Sequence, residues 1–245
     1  MKTPLRSSIT SVVLLACMLG AGCASNGRAP RVTILDDALA PLKQQFNADT
    51  SRARVLALFS PTCGGCLYGA QALQHEARAN PKLGGNVQLL VVWMPMLETD
   101  NEREAQKSAR RFDFPGARHF YDGERRIGSN LMKEQFPNAI RDALEILPGN
   151  HPQREMLEAR KDLPPEKMPM WDALLVFPPG TRWEQRIPAP VWWTKQTSYS
   201  GEERPGELTA IFWKNSTRQL PVKSDWFLEA REALQVARRL ATNKQ

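Results

Sequence analysis

Unbroken apolar runs alternate with amphipathic stretches along most of the chain. Residues 55–59 read Val-Leu-Ala-Leu-Phe before Ser60 and Pro61, and residues 87–93 read Val-Gln-Leu-Leu-Val-Val-Trp before Pro95. Such runs are expected for strands buried on both faces of a sheet. A third run, Trp-Asp-Ala-Leu-Leu-Val-Phe over 171–177, halts at Pro178, Pro179 and Gly180. Residues 67–79, rich in Ala, Leu, Gln, Glu and Arg, predict a helix, as do the charged stretch 101–112 and residues 127–136. Residues 118–121 read as a short strand closed by the turn signal of Asp122 and Gly123. Helical crossovers between buried strands predict the α/β class, with the crossover-linked strands parallel.

The later part of the chain is harder to parse. Residues 138–160 read as two helical pieces around Pro148, Gly149 and Asn150, followed by Leu163, Pro164 and Pro165. This predicts a helical insertion over about 138–167, covering the functional site or padding the sheet edge. Trp183, Trp192, Trp193 and Trp213 crowd the last third, where core and hairpin packing outweighs a peptide groove as their role. Residues 208–213 predict a strand. Ser224 is placed to cap a closing helix over 225–241, with Phe227, Leu234 and Leu240 on one face.

Composition narrows the class. The 245 residues are 42% hydrophobic and 24% charged, with 15 Gly, 19 Pro and 4 Cys, which excludes collagen-like, low-complexity and disulfide-dense chains. A mean hydropathy of -0.45 excludes a polytopic membrane protein. The net charge of +7 is spread rather than concentrated, so it makes no basic stripe for nucleic acid, and no nucleic-acid partner is expected.

The first residues read as an export signal: Lys2 and Arg6, then an apolar stretch over 9–19, then Gly20, Ala21 and Gly22 before Cys23. The string from Leu19 to Cys23 resembles a bacterial lipoprotein processing site, in which the cysteine is acylated and becomes the new N-terminus. Ordinary cleavage near Ala24 and an uncleaved anchor are the rival readings. The lipoprotein reading sets a signal over 1–23, a polar tether over 24–31 and one domain over 32–245. It places the protein in the cell envelope, facing the periplasm and attached to membrane by lipid on Cys23. Ala24 after the cysteine favours the outer membrane where the cell has one.

With Cys17 removed and Cys23 acylated, two thiols remain, Cys63 and Cys66. They form a Cys-Gly-Gly-Cys motif between the first apolar run and the first helix. A cysteine at a helix N-terminus meets unpaired N–H groups and the positive end of the helix dipole, which favour thiolate. The second lies one turn in, within reach of an exchangeable disulfide. A zinc knuckle lacks ligands, since His75, His119 and His151 are not paired at ligand spacing. A structural disulfide across two residues closes almost no loop.

This strand, motif and helix, with the element order that follows over about 54–183, resembles the thioredoxin superfamily, and in particular membrane-tethered reductases of the bacterial envelope and peroxiredoxins. The resemblance implies a thioredoxin-like fold, a central mixed sheet flanked by helices with the helical insertion before the edge hairpin, and a thiol–disulfide oxidoreductase needing no cofactor. Cys63 is then the attacking thiolate and Cys66 the resolving thiol, with protein thiol or disulfide clients and an upstream redox partner. It also implies a cis-proline just before the hairpin strand, opposite the motif. Pro169 is favoured for that place over Pro115, with Met168 and Thr62 beside it in the substrate groove.

Departures qualify the resemblance. The buried acid that thioredoxins carry six residues before the first cysteine is Ala57 here, and Asp172 is a candidate substitute, set against a solvent-facing or capping role on an edge strand. Thr62 stands where an aromatic is usual, Gly65 where proline is common, and Ser60 where a peroxiredoxin carries Thr. Two other functions remain open: a dithiol that binds and delivers a soft metal such as copper or mercury, with Met168 and Met170 nearby, and a scaffold without turnover.

Overall fold

The computed structural model describes residues 31–114, 116–147, 149–150, 154–200, 209–214 and 222–242. The expected signal and Cys23, nearly all of the tether, and Pro115 lie outside the described residues. Among the described residues, eight strands form one mixed sheet: β1 (Thr33–Ile34), β2 (Ala53–Phe59), β3 (Val87–Trp93), β4 (Ala117–Tyr121), β5 (Ala173–Phe177), β6 (Trp192–Ser200), β7 (Thr209–Lys214) and β8 (Val222–Ser224). The helices are α1 (Ala40–Asn47), α2 (Gly64–Ala79), α3 (Leu83–Asn86), α4 (Glu102–Arg111), α5 (Arg126–Glu134), α6 (Ala139–Ile146), α7 (Arg154–Glu158) and α8 (Trp226–Thr242). The strand order is β1-β4-β3-β2-β5-β6-β7-β8, parallel from β1 to β2 and antiparallel from β2 onward. The fold is therefore α/β with a central mixed sheet flanked by helices, consistent with a thioredoxin-like arrangement.

The two apolar runs become the centre of the sheet because both of their faces are covered. Every residue of β2 and of β3 is buried. Val55, Ala57 and Phe59 face one core with Cys66, Leu73 and Trp226, from α2 and α8. Leu56 and Leu58 face the other with Leu42, Phe46, Ile127 and Leu131, from α1 and α5. The alternation is the period of two expected of a strand. Residues 101–112 form α4 as read: Asn101 caps it by accepting from the Glu104 N–H at 3.1 Å, acids open it, and Arg110 and Arg111 close it against the helix dipole.

The helical insertion is present between α5 and β5. The Arg154 guanidinium, at the start of α7, donates to the carbonyls of Leu144 and Leu147 at 2.7 and 2.8 Å, satisfying the open end of α6. Of the crowded tryptophans, Trp183 packs edge-on against Phe46, Trp192 is buried, and Trp193 meets Phe136 at 5.0 Å. Packing is thus what these three do.

Several boundaries differ from the sequence reading. The hairpin of β5 and β6 does not end the sheet, since β7 and β8 continue it, and β5 is internal. The cap of α8 is Asp225, whose carboxylate accepts from the Leu228 N–H at 2.9 Å; Ser224 is instead the last residue of β8. β5 begins at Ala173 rather than at 171, because Asp172 takes a left-handed φ of 55° that breaks the extended run. The described residues contain no cis peptide bond, so Pro169 is not a cis-proline. Pro169 is buried under α5, where an added Cβ on Gly128 would stand 2.9 Å from the Pro169 Cβ and 2.4 Å from the Met170 carbonyl oxygen. The Met170 N–H donates to the Gly128 carbonyl at 3.1 Å across the same contact.

Gly128→Ala gains helix propensity of about 1 kcal/mol but forces backbone apart, which costs roughly 1–3 kcal/mol. The net expectation is a lower unfolding midpoint in urea, and an unchanged or raised midpoint would show that the contact yields freely. His119 offers a second test. It is 3% exposed, and its Nδ1 accepts from the Trp93 indole N–H at 3.2 Å, so protonation must break that bond. Burial lowers its pKa to about 4 from 6.5. The unfolded chain binds the extra proton between those values, so stability is full above about pH 6.5 and falls as pH drops toward 4, by on the order of 3 kcal/mol. In His119→Gln the fall across this window is expected to be shallower.

Candidate functional site

The doubly buried β2 ends at Phe59, and the next turn delivers the cysteines to the start of α2. Cys63 is the N-cap of α2, with extended backbone at φ -71° and ψ 124°, and is half-buried. Its N–H donates to Ser60 Oγ at 3.3 Å. Cys66, one turn into the helix, is completely buried among Phe59, Leu73 and Trp226. Both cysteines are free thiols.

Asp100 holds this turn in place. Its Oδ2 accepts from Ser60 Oγ at 2.7 Å and from the N–H groups of Met96 and Leu97, both at 2.8 Å. Its Oδ1 accepts from the Thr62 N–H at 3.0 Å and from Thr62 Oγ1 at 2.6 Å. One carboxylate thereby ties the segment before Cys63 to the segment after β3. Thr62, expected beside the substrate groove, sits next to Cys63, but its hydroxyl is turned to Asp100 and to Thr99.

Asp172 approaches the cysteines from the opposite side. β5 pairs with β2 in the register Leu58 to Ala173, so the residue before Ala173 falls at the end of β2 that carries the motif. The Cys63 and Cys66 sulfurs and an Asp172 carboxylate oxygen all lie within 4.8 Å of one another. Asp172 is 4% exposed, and its Oδ1 has no hydrogen-bond partner among the described residues. This rules out the solvent-facing role: the place just before the strand, expected to hold Pro169, holds Asp172. Met168 lies elsewhere, lining a cavity of about 180 Å³ with Met132, Phe136 and Leu163.

The surroundings drive the two thiols apart. A hydrogen bond from the Cys66 thiol, followed by the N–H groups of Cys66 and Gly65, lowers Cys63 to about 6 against the opposing effect of burial. Burial pushes Cys66 well up, and its bond to Cys63 and the charge of Asp172 push the same way. Asp172 is itself raised to about 7 by burial, opposed by a hydrogen bond from Cys66 and by the charge of Lys195. Lys195 stands on β6 opposite Ala173, with Nζ donating to the Gln196 carbonyl at 3.0 Å and lying 6.0 Å from the Trp171 ring. Burial lowers the Lys195 pKa, and Asp172 and Cys66 oppose that. A half-buried reactive thiolate, a buried protonated thiol and a carboxyl poised near neutrality are thus within reach of one proton transfer.

Sequence reading brought Cys63 and Cys66 together and named Asp172, but it missed Lys195 and Asp100. Lys195 follows Trp192 and Trp193 in a mixed run whose strand period is faint. Asp100 precedes the helix cap Asn101 and carries no signal of its own. Comparisons with protein-family models, curated proteins and solved structures find no match.

Alkylation separates the two thiols. Iodoacetamide at low dose is expected to modify Cys63 first, with a rate rising through a midpoint near pH 6, while Cys66 reacts only after unfolding. Peptide mapping by mass spectrometry distinguishes them from Cys17 and Cys23. A midpoint near the ordinary thiol value of 9.0 would show that neither the Cys66 thiol nor the N–H groups of the helix start stabilise the thiolate.

Proposed function

We propose that the protein is a thiol–disulfide oxidoreductase of the bacterial envelope, exchanging disulfides with protein clients through Cys63 and Cys66. The observation that carries this reading is the Cys63-x-x-Cys66 pair at the start of α2, one thiol half-buried and the other fully buried, with a carboxylate oxygen of buried Asp172 within 4.8 Å of both sulfurs. The Cys63 thiolate attacks one sulfur of a client disulfide; that S–S bond breaks, and the departing client sulfur takes a proton. Cys66 passes its proton to the Asp172 carboxylate and attacks Cys63 Sγ. The Cys63–Cys66 disulfide forms as the client's second sulfur leaves and is protonated. Two electrons move from the pair to the client, and an upstream reducing partner returns them. The same steps in reverse oxidise a client dithiol.

Ala57 leaves the usual buried-acid position without a proton acceptor, and Asp172 supplies one from the turn just before β5. Lys195 is a positioning residue, since its charge favours the ionised form of Asp172. The reading includes a lipid anchor at Cys23 and a periplasm-facing position. Among the described residues no helix is long and apolar enough to cross a membrane.

The test is turnover in insulin reduction with a chelator present, in a chain carrying Cys17→Ser and Cys23→Ser. Catalysis is expected, with none from Cys63→Ser and with mixed disulfides trapped by Cys66→Ser. Asp172→Asn should slow turnover at pH 7 by about a hundredfold, the size of a general-base contribution, while Cys63 alkylation stays fast. Turnover by Cys63→Ser equal to that of the parent would overturn the proposal.

A further inference from the structure

Asp172 differs from a simple proton acceptor in one respect. It is 4% exposed, and Oδ1 has no hydrogen-bond partner among the described residues, although a buried carboxylate oxygen normally finds one. Its carboxylate also closes a triangle with two sulfurs, all three ligand atoms within 4.8 Å of one another. In tetrahedral zinc sites, with Zn–S near 2.3 Å and Zn–O near 2.1 Å, neighbouring ligand atoms stand roughly 3.5–4 Å apart, so the triangle needs to contract by about an ångström at most.

We propose that the reduced Cys63–Cys66 pair and Asp172 form a three-ligand site for a thiophilic divalent cation of the zinc and cadmium class. The donor set selects that class. Two thiolates favour soft and borderline ions, while a carboxylate oxygen is a poor donor for Cu(I), which prefers sulfur alone. Three protein ligands leave a fourth position open, and Cys63 is the half-buried member of the set, so that position faces outward to water or an exchangeable ligand. Neighbours fit a structured site rather than a chance approach. Asp172 is fixed by the hydrogen bond from the Gln196 N–H to its carbonyl at 2.8 Å, Cys63 by Ser60 Oγ, and Cys66 by the core.

Binding takes both sulfurs as thiolates and Asp172 as the carboxylate: whatever protons the three ligands hold leave to solvent as two sulfur–metal bonds and one oxygen–metal bond form. No electron moves. The disulfide has no thiolate to offer, so metal binding and oxidation exclude each other, and the cation shields the pair from oxidants. The site does not depend on the redox reading, since a pair that never exchanges with a client binds metal equally well.

The test is an anaerobic titration of the reduced chain with Cd²⁺, read by the thiolate-to-cadmium charge-transfer band, with Cys17→Ser and Cys23→Ser present throughout. One Cd²⁺ per chain is expected, with none after oxidation of the pair and none in Cys63→Ser or Cys66→Ser. Asp172→Ala should weaken binding by at least tenfold, since loss of even an outer-shell partner costs about 10–100-fold. Circular dichroism of the metal-free variant shows whether it has folded. X-ray absorption on the zinc-loaded parent needs no variant at all, and a first shell of mixed sulfur and oxygen is expected. Absence of saturable binding, equal affinity in folded Asp172→Ala, or an all-sulfur shell would each overturn the proposal. Insulin reduction in chelator reports on the redox reading separately.

Discussion

The antiparallel register between β2 and β5 is the constraint on which the site depends. β2 can only lie at the centre of the sheet, because both its faces are apolar and both are covered. It therefore delivers its carboxyl end, and the turn that follows, to a fixed place. β5 runs the other way and pairs Leu58 with Ala173, so its first residues arrive where β2 finishes. A slip of one residue would turn the whole of β5 inside out, exchanging Leu174 and Val176 in one core with Ala173, Leu175 and Phe177 in the other. The hydrophobic packing of a strand thus sets where a carboxylate meets a thiol.

The site runs against what the core would otherwise select. A carboxyl raised to about 7 binds protons in the folded state that the unfolded chain has already lost, so this group lowers stability as pH rises from the ordinary carboxylate range toward 7. A left-handed backbone at Asp172 adds strain of roughly 1 kcal/mol or more. Neither cost improves packing. Local costs of this kind that gather around a reactive pair are expected where chemistry, rather than stability, decides the residue. Asp100 does the opposite work, with five donors satisfied on one carboxylate, and keeps the cysteine turn rigid while Asp172 is left partly unsatisfied.

Much of this was legible in the sequence where one physical signal dominated. The apolar runs of β2 and β3 and the charge gradient of α4 specified their elements because burial on two faces, and a capped dipole, leave few alternatives. Cys63 and Cys66 followed from strand, motif and helix in order. What was not legible depended on long-range pairing. α1 has only Leu42 and Phe46 as buried anchors, too few to show a period, and β6 mixes Trp, Thr, Lys and Gln. Pro169 was drawn to the site by the expectation of a proline before a strand, yet the strand starts later because Asp172 turns the chain. Only the register of β5 against β2 shows that Asp172, not Pro169, faces the dithiol.

The central claim is that Asp172 and Cys66 share a proton. Selective ¹³C labelling of aspartate, with Asp172 assigned by difference from Asp172→Asn, allows its carboxyl to be titrated by NMR in the reduced and the oxidised protein. In the reduced protein the carboxyl is expected to titrate near pH 7, and its titration should move when the disulfide forms and the thiol proton is gone. A carboxyl that titrates near the ordinary 3.8 and ignores the state of the cysteines would contradict the account.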